Sequence, residues 1–182
     1  MAGGFPTDTR GNGLTGIVPV LFAGAIFAYF VSLMPTIAAN EVIRVSIPWI
    51  PSLGIELAFL VDGLSLTFSL LISGIGTLVL LYSNTYLAGH PQYARFALFL
   101  TAFMLSMLGL VLADDLILLF VFWELTTLTS YMLIGFSHEA EKSRRNALQA
   151  LFVTGAGGLA FLAGLILLAA ASGTTSISGI IA

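Results

Sequence analysis

The sequence predicts an all-α integral membrane protein: five transmembrane helices, with a short extracytoplasmic β-hairpin between the first two. Three observations carry this prediction. Apolar residues make up 58% of the 182, while Asp, Glu, Lys and Arg together make 8%; a soluble domain carries about 25% charged residues. Five separate stretches are apolar and long enough to cross a hydrocarbon core, which takes about 20 helical residues. The longest connection between them alternates apolar and polar residues with a period of two, the pattern of a strand. Composition also excludes whole function classes. Nine acids against six bases give a net charge of −3, so no basic surface exists for a nucleic-acid backbone. The absence of cysteine rules out disulfides, thiolate metal sites and thiol catalysis. Two histidines 48 residues apart make a poor metal site, and no cofactor or metal is expected.

Residues 1–13 form a cytoplasmic tail containing Arg10. The first span, 14–34, is too long for a signal-peptide core of ~7–15 residues and has a single preceding cation, so it is read as a retained helix. In the connection that follows, Ile43, Val45 and Ile47 alternate with Arg44 and Ser46. Pro48-Trp49-Ile50-Pro51 and Ser52-Leu53-Gly54 then turn the chain, and 55–59 alternates again through Glu56 and Ala58. This is the hairpin, with Trp49 at headgroup level. The second span is 64–82. The third, 96–112, is short and takes Tyr93 to Arg95 as an interfacial first turn. Asp114 and Asp115 lie in a three-residue link to the fourth span, 116–136, so these two spans form a tight antiparallel pair. The fifth, 147–171, carries Ala156, Ala160 and Gly164 at four-residue spacing, with Gly155, Gly157 and Gly158 beside them. Such a stripe lets helices approach closely in lipid, or it reflects ordinary small-residue frequency; both readings concern packing. Residues 172–182 are read as an extracytoplasmic tail.

Arg10, Arg95, Lys142, Arg144 and Arg145 fall on one side of this topology and Arg44 alone on the other. The positive-inside rule then places a multi-pass protein in the cell membrane, N-terminus in the cytoplasm and C-terminus outside. The outer side collects Glu41, Glu56, Asp62, Asp114 and Asp115. These are read first as solvated or interfacial charges; a role in concentrating cations is the alternative, limited by screening over ~8 Å. Lys142, Arg144 and Arg145 lie on a cytoplasmic loop, as topological anchors or, alternatively, in ion transfer.

One ionisable residue lies deep inside a span. Glu124 follows Leu116 by eight residues, ~12 Å into the helix at 1.5 Å per residue. An acid at a helix centre costs ~2.5–3.5 kcal/mol on insertion scales, so it faces protein or water, pairs with a cation, or stays protonated. Thr127 at i+3 and Tyr131 at i+7 share its face and could hold water beside it, whereas Thr126, Thr129 and Ser130 point elsewhere and back-bond to the helix. The plainer alternative is a polar residue that glues helices together. No basic residue inside any span can pair with Glu124.

Several motifs stand in a fixed order: Trp49-Ile50-Pro51-Ser52-Leu53-Gly54-Ile55, Leu60-Val61-Asp62-Gly63-Leu64-Ser65-Leu66, Ala113-Asp114-Asp115-Leu116, Phe122-Trp123-Glu124-Leu125-Thr126 and Ser130-Tyr131-Met132-Leu133-Ile134-Gly135-Phe136. Together they resemble the antiporter-like subunits shared by Mrp-type multisubunit cation/proton antiporters and respiratory complex I. The early stretch through Gly54 and Glu141-Lys142-Ser143-Arg144 resemble the Mrp A-type subunit more than its complex I relative. The resemblance covers roughly residues 15–168. It implies a membrane subunit, or the N-terminal fragment of one, that exchanges Na+ for H+ together with other subunits. In that family the glutamate of the Trp-Glu-Leu-Thr motif, here Glu124, pairs with a lysine on a later broken helix. That later helix has no counterpart in these 182 residues, nor has the family's usual first helix; 14–34 matches its second. The expected pathway is therefore Glu124, Thr127 and Tyr131, with Asp62, Asp114, Asp115, Lys142, Arg144 and Arg145 as accessory charges. Partners are lipid, Na+, H+ and further antiporter subunits, with no nucleic acid. The chain is read as a secondary transporter component and no enzyme. Two alternatives remain: a proton-pumping subunit of a complex I-like NADH dehydrogenase, and a non-conducting scaffold.

Overall fold

A computed structural model describes residues 13–50, 55–136 and 139–181. The N-terminal tail with Arg10, residues 51–54 of the turn expected over 48–54, and Ala182 lie outside the described residues; Pro48, Trp49 and Ile50, expected in that turn, instead continue the first strand. Within them, helix α1 (Gly13–Ala38) leads into strands β1 (Ile43–Ile50) and β2 (Ile55–Val61), followed by helices α2 (Gly63–Tyr86), α3 (Tyr93–Leu112), α4 (Leu116–Ile134), α5 (Glu141–Ser172) and the five-residue α6 (Ile177–Ile181). Helices α1 to α5 are each long and apolar enough to span a bilayer, and the two strands pair antiparallel between α1 and α2. The chain is a multi-pass membrane protein with the predicted fold class.

Helix ends depart from the ends of the apolar runs. Helix α1 carries Pro35 inside its last turns and continues to Ala38. A membrane helix tolerates the lost donor, and the chain leaves through Asn40 at φ 60°, a left-handed position that Asn accepts. Helix α5 starts at Glu141, six residues before its apolar run, because hydrophobicity marks where lipid begins and not where helix begins. Ser143 Oγ donates to Ile134 O at 2.8 Å and ties this start to the end of α4.

Successive helices pack as antiparallel neighbours, with α1 also touching α3 and α5 packing chiefly on α4. Ala23, Phe30, Leu66, Leu80, Tyr93, Ala97, Met104 and Leu108 form the buried core of the first three. Helix α2 contributes a row of buried serines, Ser65, Ser69, Ser73 and Ser83, small enough to bring neighbouring backbones close. Ser73 and Ser83 back-bond to Ser69 O and Leu80 O. Between α3 and α4 a Cβ on Gly109 would overlap the Phe122 ring. Gly109→Ala is therefore expected to destabilise the protein by about 1–3 kcal/mol through overpacking, read as a lower thermal midpoint in mild detergent; Gly155→Ala, which meets open space, serves as the control.

The end of the bundle that bears the hairpin is stitched together by backbone. Asp114 N donates to Ala58 O at 2.8 Å, Leu116 N to Thr175 O at 2.9 Å and Ile177 N to Asp114 O at 2.9 Å. Phe59 bridges to Ala113 and Asp115 to Ser176. The α3–α4 link is thus held between β2 and the segment after α5. That segment, expected as a plain tail, folds back and includes α6.

Candidate functional site

Glu124 is the ninth residue of the nineteen in α4, half-buried and turned toward α5. Its carboxylate rests on Gly158: a Cβ built there would overlap Oε1 and stand 3.4 Å from Cδ. Oε1 is buried and has no hydrogen-bond partner among the described residues. The α4–α5 register is set on either side of this contact. Trp123 and Phe161 have ring centroids 5.1 Å apart, and a Cβ on Gly135 would meet the Ala147 methyl at 3.4 Å.

One turn further along, a cavity of about 300 Å³ opens between α3, α4 and α5. Its hydroxyl-bearing walls are Thr126, Thr127, Ser130, Tyr131 and Thr154, and Phe103, Met107 and Leu151 lie among its apolar ones. Thr127 and Tyr131 are thus brought together, but Glu124, whose face they were expected to share, is not among the residues lining this cavity. Thr126 and Ser130, expected to point elsewhere, line the same cavity because it wraps around α4 toward α3 and α5. Thr154, on a different helix, was not legible from spacing within α4. Thr127 Oγ1 donates to Trp123 O at 3.2 Å, as does Thr126 Oγ1 at 2.7 Å. With those protons engaged, both threonine oxygens face the cavity as acceptors. Water, which can both donate and accept, suits such a lining.

The accessory charges separate into two groups. Asp62 caps α2 in a reciprocal box: Ser65 N donates to Asp62 Oδ1, and Asp62 N to Ser65 Oγ, both at 2.8 Å. Asp115, 2% exposed, caps α4 by accepting from Ile117 N and Leu118 N at 2.9 and 3.0 Å. Asp114, 3% exposed, accepts from Ser178 N and Ser178 Oγ at 2.8 and 2.7 Å and pairs with Arg44 at 3.4 Å. Arg44 also donates to Ser178 Oγ, and Ser46 to Glu56. Solvated or interfacial charges were expected at 114 and 115; neither is solvated, both being buried because unpaired backbone at the link and helix start needs these acceptors. At the opposite end Lys142, Arg144 and Arg145 are exposed and sit in the first turns of α5, not on a loop. Thirteen residues, ~20 Å of helix, separate Arg145 from Gly158. Neither group reaches Glu124. Among the described residues no cluster of three His, Asp or Glu could hold a metal.

Two family models match this chain. One, described as NADH-Ubiquinone oxidoreductase (complex I), chain 5 N-terminus, matches residues 48–97. The other, NADH:quinone oxidoreductase/Mrp antiporter, TM, matches 113–182. The A-type subunit of a Na(+)/H(+) antiporter from Alkalihalophilus pseudofirmus is 46% identical over 168 residues, covering 92% of this chain and 21% of that protein. The A/B-type subunit of a probable K(+)/H(+) antiporter from Rhizobium meliloti is 41% identical over 98% of this chain and 18% of its own length. Among solved structures, the Mrp complex from Dietzia sp. DQ12-45-1b contains a chain of similar fold, with a TM-score of 0.74 and 34% identity over 92% of this chain and 21% of that one. The chain spans about a fifth of the length of the curated relatives it matches.

Proposed function

The chain resembles the N-terminal part of the A-type subunit of Mrp-type multisubunit Na+/H+ antiporters, and from that premise we propose that it works as a membrane component of a cation/proton antiporter. Glu124 is the residue that takes up and releases the proton, and the hydroxyl-lined cavity one turn away on the same helix holds water on the route to it. One observation carries this reading: a mid-helix carboxylate has a buried oxygen without a hydrogen-bond partner among the described residues. Leaving a buried polar group unpaired is costly, so a proton, a water or a partner ammonium from another part of the assembly is the natural occupant. A cation moved close to the site stabilises the carboxylate, and protonation releases that cation. Exchange of Na+ against H+ follows from this alternation. The hairpin end faces outward and the end with Lys142, Arg144 and Arg145 faces the cytoplasm, in keeping with the positive-inside rule.

The full-length subunit, solubilised gently with its membrane neighbours and reconstituted into vesicles, is expected to dissipate a pH gradient when Na+ or K+ is added. Its companions are expected to be small membrane subunits. Co-purification of quinone-reducing iron–sulfur subunits, with no cation-driven pH change, would instead place the chain in a redox-driven pump.

A further inference from the structure

Each long helix meets the next through a glycine. A Cβ on Gly74 would come within 3.2 Å of the Phe27 ring, one on Gly76 within 2.7 Å of Met104 Sδ, and one on Gly109 would overlap Phe122. These three notches seat apolar groups, which is how helices gain contact in lipid. The fourth notch, Gly158 on α5, seats a carboxylate. Gly158 is buried, while a Cβ at Gly155, Gly157 or Gly164 of the same helix would meet nothing within 4 Å. Ala156, Ala160 and Gly164 are exposed. The stripe of small residues therefore does not engage α4; Gly158 does, and what it receives is Glu124.

We infer that Gly158 is a positioning residue for Glu124: by lacking a side chain it lets the carboxylate lie against the α5 backbone and fixes where the carboxyl head sits relative to the cavity. The inference rests on the transport reading of Glu124. An alanine at 158 suits the helix better than glycine does, so the local backbone is not what the substitution threatens. Its methyl takes the space of Oε1, and the glutamate must turn to another rotamer. A misplacement of ~1 Å at a reacting group can cost about a hundredfold in rate.

The test uses the full-length subunit in its native membrane assembly, with cation-driven pH change followed in inverted vesicles. Gly158→Ala is expected to slow exchange about ten- to a hundredfold with assembly retained, while Gly155→Ala and Gly157→Ala exchange as the parent does. Adding Glu124→Asp to Gly158→Ala is expected to cost no more than Glu124→Asp alone, because a side chain one methylene shorter already clears the new methyl. A notch that acted independently of residue 124 would instead add its own loss to that of Glu124→Asp. Parental exchange by Gly158→Ala, alongside an inactive Glu124→Gln, overturns the inference and leaves the transport reading standing. Parental exchange by Glu124→Gln overturns the transport reading, and the inference with it. If Gly158→Ala fails to assemble, the double variant decides: restored assembly with exchange equal to that of Glu124→Asp alone supports the inference, and failure to assemble, or exchange below that of Glu124→Asp, overturns it.

Discussion

Glu124→Gln is expected to abolish cation-driven pH change in inverted vesicles while the subunit still inserts and assembles. Glutamine has nearly the same shape, so it fits the place against Gly158 that the carboxylate occupies. It is also a gentler burden on the membrane, since an ionisable acid at a helix centre costs ~2.5–3.5 kcal/mol on insertion scales. What glutamine cannot do is gain and lose a proton. The expected loss is at least about a hundredfold, of the size associated with removing an essential proton-transfer group. Glu124→Leu separates this role from a purely structural one: a scaffold glutamate predicts normal exchange once the leucine variant assembles. Parental rates in either variant would remove the carboxylate from the mechanism.

Asp114→Ala is expected to produce the largest stability loss among substitutions at the hairpin end, roughly 2–4 kcal/mol. Two hydrogen bonds from Ser178 to a charged acceptor carry most of it, since such bonds contribute about 1.5–3 kcal/mol each at best. The ion pair contributes less, because the Arg44 side chain is 53% exposed and solvent-facing pairs are worth about 1 kcal/mol or less. Arg44→Ala should therefore cost well under half as much as Asp114→Ala. Thermal unfolding in mild detergent measures both, and limited proteolysis should show the segment after α5 becoming cleavable in Asp114→Ala. Equal losses in the two variants would mean that the ion pair, and not the Ser178 contacts, holds the three elements together.

Much of the architecture was legible because lipid leaves a chain few options: backbone groups must pair internally, so apolar runs become helices. The hairpin was legible for a separate reason, the period-two alternation at Ile43, Val45 and Ile47. Helix ends were not, as Glu141 and Pro35 show, because polar first turns and an internal proline are invisible to a hydrophobicity argument. Glu124 stood out as the only acid deep within a span, and Thr127 and Tyr131 followed from helical spacing. Thr154 and Gly158 could not, since their meeting with α4 depends on the register across the intervening turn. The glycine run at 155–158 was a signal of close approach, but nothing in it distinguishes the one glycine that touches the carboxylate. Asp114 and Asp115 misled for the opposite reason. Adjacent acids in a short link look solvated, yet the folded-back segment at Thr175, Ser176 and Ser178 buries them.

The stitching at the hairpin end gives the chain an internal check on its own threading. Residues 174–178 leave the ribosome after the five spans that precede them, and they supply the acceptor for Leu116 N and the donors to Asp114. Until the fifth helix has threaded in the correct direction, those partners are on the wrong side or not yet made, and the link between the third and fourth helices must rely on water. A nascent chain whose fifth span inserted upside down would leave the same link unclasped. Correct threading is thus sealed at one narrow strip, which joins a loop made before the second helix to a segment made after the fifth.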